Sequence, residues 1–176
     1  MKHDYLGWVP EILPESFNAK ASAPSNIALV KYWGKKASQI PANPSISFTL
    51  NHCKTITEIT FLKKDNSNDF SFDFWFECAA KPDFHPKIQK FLERIERYVP
   101  VLKCYHLTIK SENTFPHSSG IASSASAMAA MSAVIISFEK TLLQNKSEDF
   151  WLAKASFLAR LGSGSACRSI QGPLMI

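Results

Sequence analysis

Residues 113–138 read NTFPHSSGIASSASAMAAMSAVIISF, and this stretch decides the fold because it passes from strand end through loop to helix. Ahead of it, Tyr105–Lys110 alternates apolar and polar side chains, the pattern of a half-buried strand. Behind it, Ala125, Met128, Met131 and Ile135 recur at three and four residues, the spacing of one helix face. Between the two lie Pro116, Ser118, Ser119, Gly120, Ser123 and Ser124, small residues that let a ligand approach the backbone and whose hydroxyls both donate and accept. The first N–H groups of a helix lack intrahelical partners and sit at the positive end of its dipole, so such a loop suits an anion. A Ser-rich loop that only caps an Ala-rich helix accounts for the same residues. The string holds neither Gly-Lys-Ser/Thr nor G-x-G-x-x-G, which excludes a Walker loop and a dinucleotide fingerprint. It is also long enough, and free enough of charge, to span a bilayer. Its Ala, Ser and Met content and the breaks at Pro116 and Gly120 predict a buried core helix instead.

Towards the N-terminus, Asn26–Trp33 is β-prone, Ser45–Leu50 alternates, and Thr55–Leu62 and Phe70–Glu77 read as two further strands joined by KKDNSND, a connection of hairpin character. Phe70, Phe72, Phe74 and Phe76 share one side, and the next segment supplies their cover: a helix opened by Pro86, with Ile88, Phe91, Leu92 and Ile95 on one face. Towards the C-terminus, Ser147 caps a helix carrying Trp151, Leu152, Ala155, Leu158 and Ala159 and ending at Gly162. A second small, hydroxyl-rich loop follows, Ser163–Ser169, with Arg168 in it. These elements predict an α+β lobe over residues 21–176, a mixed or antiparallel sheet with helices on one face. Residues 1–20 read as an arm, part of which docks through Trp8, Ile12, Leu13 or Phe17.

A chain of 176 residues, 45% hydrophobic and 20% charged, fits one soluble domain. Its four cysteines form no C-x-x-C pair, which argues against zinc and iron–sulfur sites and fits a reducing cytoplasm. The opening MKHDYLGWVPEILPES resembles neither a secretory signal nor a transit peptide. The net charge of +5 admits acidic partners, but the lysines are scattered, so a nucleic acid is not expected.

Asn26–Lys36, the 116–124 loop and Ser163–Ser169 with Arg168 could converge on one anionic ligand. The strings APSNIALVKYWGKK, PANPSISFTL, ENTFPHSSGIASSASAMAA and GSGSACRSI, in this order, resemble the N-terminal half of the diphosphomevalonate decarboxylase family, within the GHMP kinase superfamily. The resemblance covers roughly residues 20–172. It implies the superfamily's N-terminal lobe, which is like a ribosomal-protein domain, and an ATP- and magnesium-dependent lyase that converts mevalonate diphosphate to isopentenyl diphosphate. It further implies that Pro116, Ser118, Ser119, Gly120, Ser123 and Ser124 bind ATP phosphates, with Ser124 nearest the Mg2+. Lys31 and Arg168 would be catalytic, and Tyr32, Ser163, Ser165 and Arg168 would hold the substrate. A cytoplasmic enzyme of isoprenoid biosynthesis follows, with small-molecule partners, no nucleic acid or membrane, and a homodimer as its assembly. The family's catalytic aspartate lies beyond the GSGSACRS string, and no acidic residue follows Asp149 here. The expectation is therefore a chain that lacks the C-terminal lobe and is inactive alone; the alternatives are the lobe of another GHMP small-molecule kinase, against which the KYWGK and SGSACRS strings argue, and a non-catalytic binding module.

Overall fold

Two long antiparallel strands, β1 (Ser16–Val30) and β2 (Ile46–Lys63), form the spine of the sheet. The computed structural model describes residues 3–30, 34, 42–65, 69–116, 119–143 and 146–175. Period-two alternation sets the faces: Thr55, Thr57, Ile59 and Phe61 of β2 point inward and are buried, while Asn18, Glu58 and Thr60 join by hydrogen bonds on the outer face. Ser45–Leu50 and Thr55–Leu62, expected as separate strands, fall almost wholly within the single strand β2, which pairs with β1 in two stretches. A register shift at Pro24/Ser25 leaves 51–53 without partners on β1. Proline donates no N–H to a ladder, so Pro24 fits at such an irregularity.

β1 begins at Ser16, inside the stretch expected to be an arm, and Phe17 packs on Phe61 and Phe138 with ring centroids 5.8 and 5.2 Å apart. Upstream, the chain is a strap across the end of the lobe. Tyr5 sits 5.5 Å from Phe150 and 5.3 Å from Phe157, and Gly7 N–H donates to Arg97 O at 3.2 Å. Gly7 passes so close that a Cβ there would lie 2.3 Å from Tyr98 O. Tyr105 Oη donates to Pro14 O at 2.8 Å, and burial of the phenol pushes its pKa up to about 12. Trp8 and Ile12, expected among the docking residues, are 57% and 88% exposed.

The strand order is β1-β2-β5-β3-β4, so the expected hairpin between β2 and β3 does not form. β3 (Ser71–Phe76) pairs in parallel with β5 (Tyr105–Asn113), which separates it from β2. The reason is burial: Tyr105, Leu107 and Ile109 are at most 1% exposed, a requirement only a central position meets, and the helical crossover after β3 delivers β5 there. β2 and β3 therefore lie one strand apart, about 10 Å. β4 (Ala79–Ala80) returns on β3 through Glu77 and Cys78, both at positive φ as a two-residue hairpin turn of the primed type requires.

α1 (His85–Ile95) buries Ile88, Phe91, Leu92 and Ile95 as its spacing predicts. Phe84, in the turn before it, covers Phe74 and Phe76 at 5.5 and 5.8 Å, and His85 covers Phe72 at 4.9 Å. α2 (Ser123–Leu142) is long and apolar enough to cross a membrane, yet two thirds of its span is buried within the protein. It lies against the sheet, where Phe138 stacks on Phe61 at 4.5 Å, and against α3 (Glu148–Gly162). Covered on both sides, it buries Ala129, Ala130, Val134 and Ile136 besides the one stripe that the spacing indicates.

Ser147 caps α3, its Oγ accepting from Phe150 N–H at 3.2 Å. Leu152, expected on the buried face, is 47% exposed: it lies one residue, or 100°, past Trp151 and off the stripe of Trp151, Ala155, Leu158 and Ala159. Between α2 and α3, Lys154 Nζ donates to Glu139 Oε1 at 2.5 Å and to Tyr98 O at 3.0 Å, both side chains being buried. Burial pushes Glu139 up and Lys154 down, and each opposes the shift of the other. A short α4 (Arg168–Gln171) and β6 (Leu174–Met175), paired with β2 at Ser47 and Phe48, follow.

Candidate functional site

The 116–124 loop delivers the chain to the N-terminus of α2 with two successive departures from ordinary backbone. Gly120 has φ +78°, with nothing within 4 Å of where a Cβ would stand, and Ala122 is held at φ +60° as the N-cap. An alanine in the left-handed region costs about 1–2 kcal/mol. A capping serine in its place could turn its hydroxyl onto the first amides; Ala122 cannot. Among the described residues, the amides of Gly120–Ser124 find no hydrogen-bond acceptor, whereas Ala125 and Ser126 already donate to Ala122 O. The open amides and the helix dipole together make an anion cradle.

Beneath this turn, buried hydroxyls tie α2 to the sheet. Ser126 Oγ meets Thr55 Oγ1 at 2.6 Å, Thr55 Oγ1 donates to Asn113 Oδ1 at 2.7 Å, and Ser126 Oγ donates to Ser123 O at 3.1 Å. Ser25 Oγ donates to Ile121 O, joining the loop to β1.

The second loop is built differently. After α3 ends at Gly162, Ser163 O accepts from Ala166 N, Ser165 O from Arg168 N and Ala166 O from Ser169 N. Asn26, 4% exposed on β1, then clamps the loop: its Nδ2 donates to Ser165 O at 3.2 Å and to Ser169 Oγ at 2.8 Å. Arg168 opens α4 with its side chain buried, and its Nη2 donates to Ser45 Oγ.

These elements border an open cleft of about 460 Å³ lined by Asn26, Ile27, Ala28, Gly120, Ala122, Ser165 and Arg168. The structure thus brings together Gly120, Ser165 and Arg168 from separate expected segments. Ser163 stands at the C-cap of α3, outside that lining. Ser123 and Ser124 turn to the other side of α2, into a notch of about 70 Å³ shared with Phe74, Phe76, Phe84, Lys87 and Asn113. Pro116 and Ser119 are exposed at the loop surface, and Lys31, Tyr32 and Ser118 lie outside the described residues.

Sequence reasoning missed Lys87, Ser25 and Ser45 as site residues, and had Asn26 only as the first residue of the Asn26–Lys36 segment, without a role. Lys87 Nζ donates to Ser124 Oγ at 2.7 Å, and burial lowers its pKa from the ordinary lysine value. In the sequence it is one of several charges flanking the apolar stripe of α1, and only the packing of α1 beside α2 singles it out. For Ser25 and Asn26 a signal existed, two small polar residues opening a β-prone run. Among the described residues no group of three or more His, Cys, Asp or Glu could hold a metal ion.

The family described as the diphosphomevalonate decarboxylase-like N-terminal domain matches residues 23–176. The chain is similar to a diphosphomevalonate decarboxylase of Debaryomyces hansenii, 38% identical over 174 residues, which cover 89% of this chain and 41% of that protein. A crystal structure of mevalonate diphosphate decarboxylase from Staphylococcus aureus superposes with a TM-score of 0.72 at 37% identity, over 90% of this chain and 45% of that one. A structure of MDDEF in complex with MVAPP, AMPPCP and magnesium gives 0.71 at 33% identity, over 90% and 46%. The chain thus spans about two fifths of the length of its curated relatives.

Proposed function

The chain belongs to the diphosphomevalonate decarboxylase-like family, of which it carries the N-terminal domain, and from that premise we propose that it supplies the anion-binding half of an ATP-dependent decarboxylase acting on mevalonate diphosphate. The observation that carries this is the meeting of Gly120 of the first loop with Ser165 and Arg168 of the second, more than forty residues further along the chain, around one cleft.

In this reading the open amides of Gly120–Ser124 take nucleotide phosphate oxygens, and Pro116, Ser118 and Ser119 belong to the same phosphate-binding loop. The buried guanidinium of Arg168 takes the substrate carboxylate, a planar fork meeting a planar anion. Ser163, Ser165, Lys31 and Tyr32 complete the substrate side, and Lys87 adds positive charge on the nucleotide side. The Ser124 hydroxyl fits as one ligand of a magnesium ion that arrives with the nucleotide, since the described residues offer no carboxylate cluster there. Magnesium would supply charge neutralisation at the phosphates.

The reaction moves the γ-phosphoryl group of ATP to the tertiary hydroxyl, which loses its proton. The new phosphate then leaves with its bonding pair, the C–C bond to the carboxylate supplies the electrons of the new C=C bond, and carbon dioxide departs. Fixed positive groups stabilise the negative charge on ADP and on the departing phosphate. The described lining of the cleft holds no Asp or Glu to accept the hydroxyl proton. We therefore assign that role to a group beyond the described lining and expect the 176 residues alone to bind without turning over. We also place the protein in the cytoplasm, with ATP and mevalonate diphosphate as partners rather than nucleic acid or membrane, and with a homodimer as its assembly.

The test pairs calorimetric titration of mevalonate diphosphate into the 176-residue chain with ATP-dependent carbon dioxide release. Both are measured beside a protein of the relatives' full length. Binding by both and turnover only by the longer protein is expected; comparable turnover by the short chain would overturn that expectation.

A further inference from the structure

We propose that Ser45 is a positioning residue for Arg168, fixing where the guanidinium points in the cleft; this rests on the reading of Arg168 as the group that takes the substrate carboxylate. Among the described contacts, two anchor that arginine from separate sides. Its backbone is placed by the turn of α4 and by the Asn26 clamp on Ser165 and Ser169. Its head is placed from across the cleft wall by Ser45 Oγ, which accepts from Nη2.

Ser45 is 3% exposed and immediately precedes β2, so its own position is fixed by the sheet. An arginine side chain has many rotamers to lose, and a bidentate grip on a carboxylate needs the fork in one plane. A hydroxyl suits this task because it accepts one N–H while adding no charge. A carboxylate at the same place would itself take the fork and neutralise the group meant for the ligand. The conformational cost of aiming the guanidinium is then met at folding rather than at binding. Because Ser45 acts through Arg168, its removal should alter the orientation and affinity of the anion site without unfolding the lobe.

The experiment uses Ser45→Ala and Ser45→Thr in the 176-residue chain, with Arg168→Lys to assign the arginine signal. In nitrogen-15 spectra of the guanidinium groups, wild type and Ser45→Thr should show hindered rotation with separate Nη signals for Arg168, and Ser45→Ala should show them averaged. Mevalonate diphosphate affinity should fall about tenfold in Ser45→Ala, the worth of one hydrogen bond to a charged group, and stay within about threefold in Ser45→Thr. Unchanged Arg168 signals in Ser45→Ala overturn the proposal. So does an equal loss of affinity in both variants accompanied by a lowered unfolding temperature, which would mark Ser45 as structural only. If wild type fails to bind mevalonate diphosphate, the functional reading falls, and the rotation of the Arg168 guanidinium alone decides the role of Ser45.

Discussion

The loops at 116–124 and 163–169 have nearly the same composition, serine, glycine and alanine ahead of a helix, and the fold uses them in opposite ways. The first leads into a twenty-residue helix and leaves its early amides without acceptors among the described residues. The second spends its amides on its own turns, ends in a four-residue helix, and contributes a buried cation instead. The strand beside them also treats the two loops differently. β1 reaches both: Ser25 holds the first through a backbone carbonyl, while Asn26 grips the second at two points and draws it shut. Hydroxyl-rich composition is therefore not a site by itself; what matters is whether the loop's own turns leave its amides free.

The largest expected effect comes from removing the one charge that the second loop presents. Arg168→Gln should weaken mevalonate diphosphate binding by about 2–5 kcal/mol, the usual cost of deleting one partner of a desolvated charged contact. A titration showing less than a tenfold loss would mean that this loop, too, works through its backbone. The glycines give the next test. Gly162, where the second loop starts, would place a Cβ 2.6 Å from Met128 Sδ and 2.9 Å from Phe91 Cδ2. Gly162→Ala should therefore cost about 1–3 kcal/mol of stability by overpacking. Gly120→Ala meets no atoms, so only its positive φ counts, and chemical denaturation should show about 1 kcal/mol. A larger loss at 120 than at 162 would reverse the picture of one open and one packed loop.

The smallest effect is at Lys87, which separates stability from binding by sign. Burial lowers its pKa, so the fold prefers the neutral amine. The stability it contributes is greatest above the unfolded value of 10.5 and is lost as pH falls through the depressed value. Nucleotide binding should run the other way, needing the ammonium and weakening as pH rises through that same value. Lys87→Met should abolish both trends and lower ATP affinity about threefold at low ionic strength, less in salt. If the pH dependence of ATP binding survives the substitution, Lys87 does not face the phosphates.

What could be read from the sequence was what depends on neighbours within a few residues. The Ser147 cap, the buried stripe of α1 and the core helix after Gly120 follow from local spacing and capping chemistry. Strand order does not: KKDNSND looks like a hairpin whether its strands pair or admit a third between them, and only the burial demanded by Tyr105, Leu107 and Ile109 decides. The same holds for the site. Arg168 and the first loop could be picked out by motif, but Ser45, Asn26 and Lys87 acquire roles only through contacts made across the fold. Trp8 and Ile12 show the converse error, large apolar residues that the fold leaves outside.

The bond from Tyr105 to Pro14 makes the N-terminal strap an optical experiment. The chain has four tyrosines, and a phenolate absorbs in the near ultraviolet where a phenol does not. With its pKa pushed up to about 12, Tyr105 holds its proton well past the ordinary tyrosine range. The stability it lends is fully present below pH 10 and is lost as pH rises through about 12. An alkaline titration should therefore show a late step in absorbance, coincident with release of residues 3–14 and their first susceptibility to a protease that tolerates such alkali. The strap carries its own indicator dye, set to change colour when the latch opens.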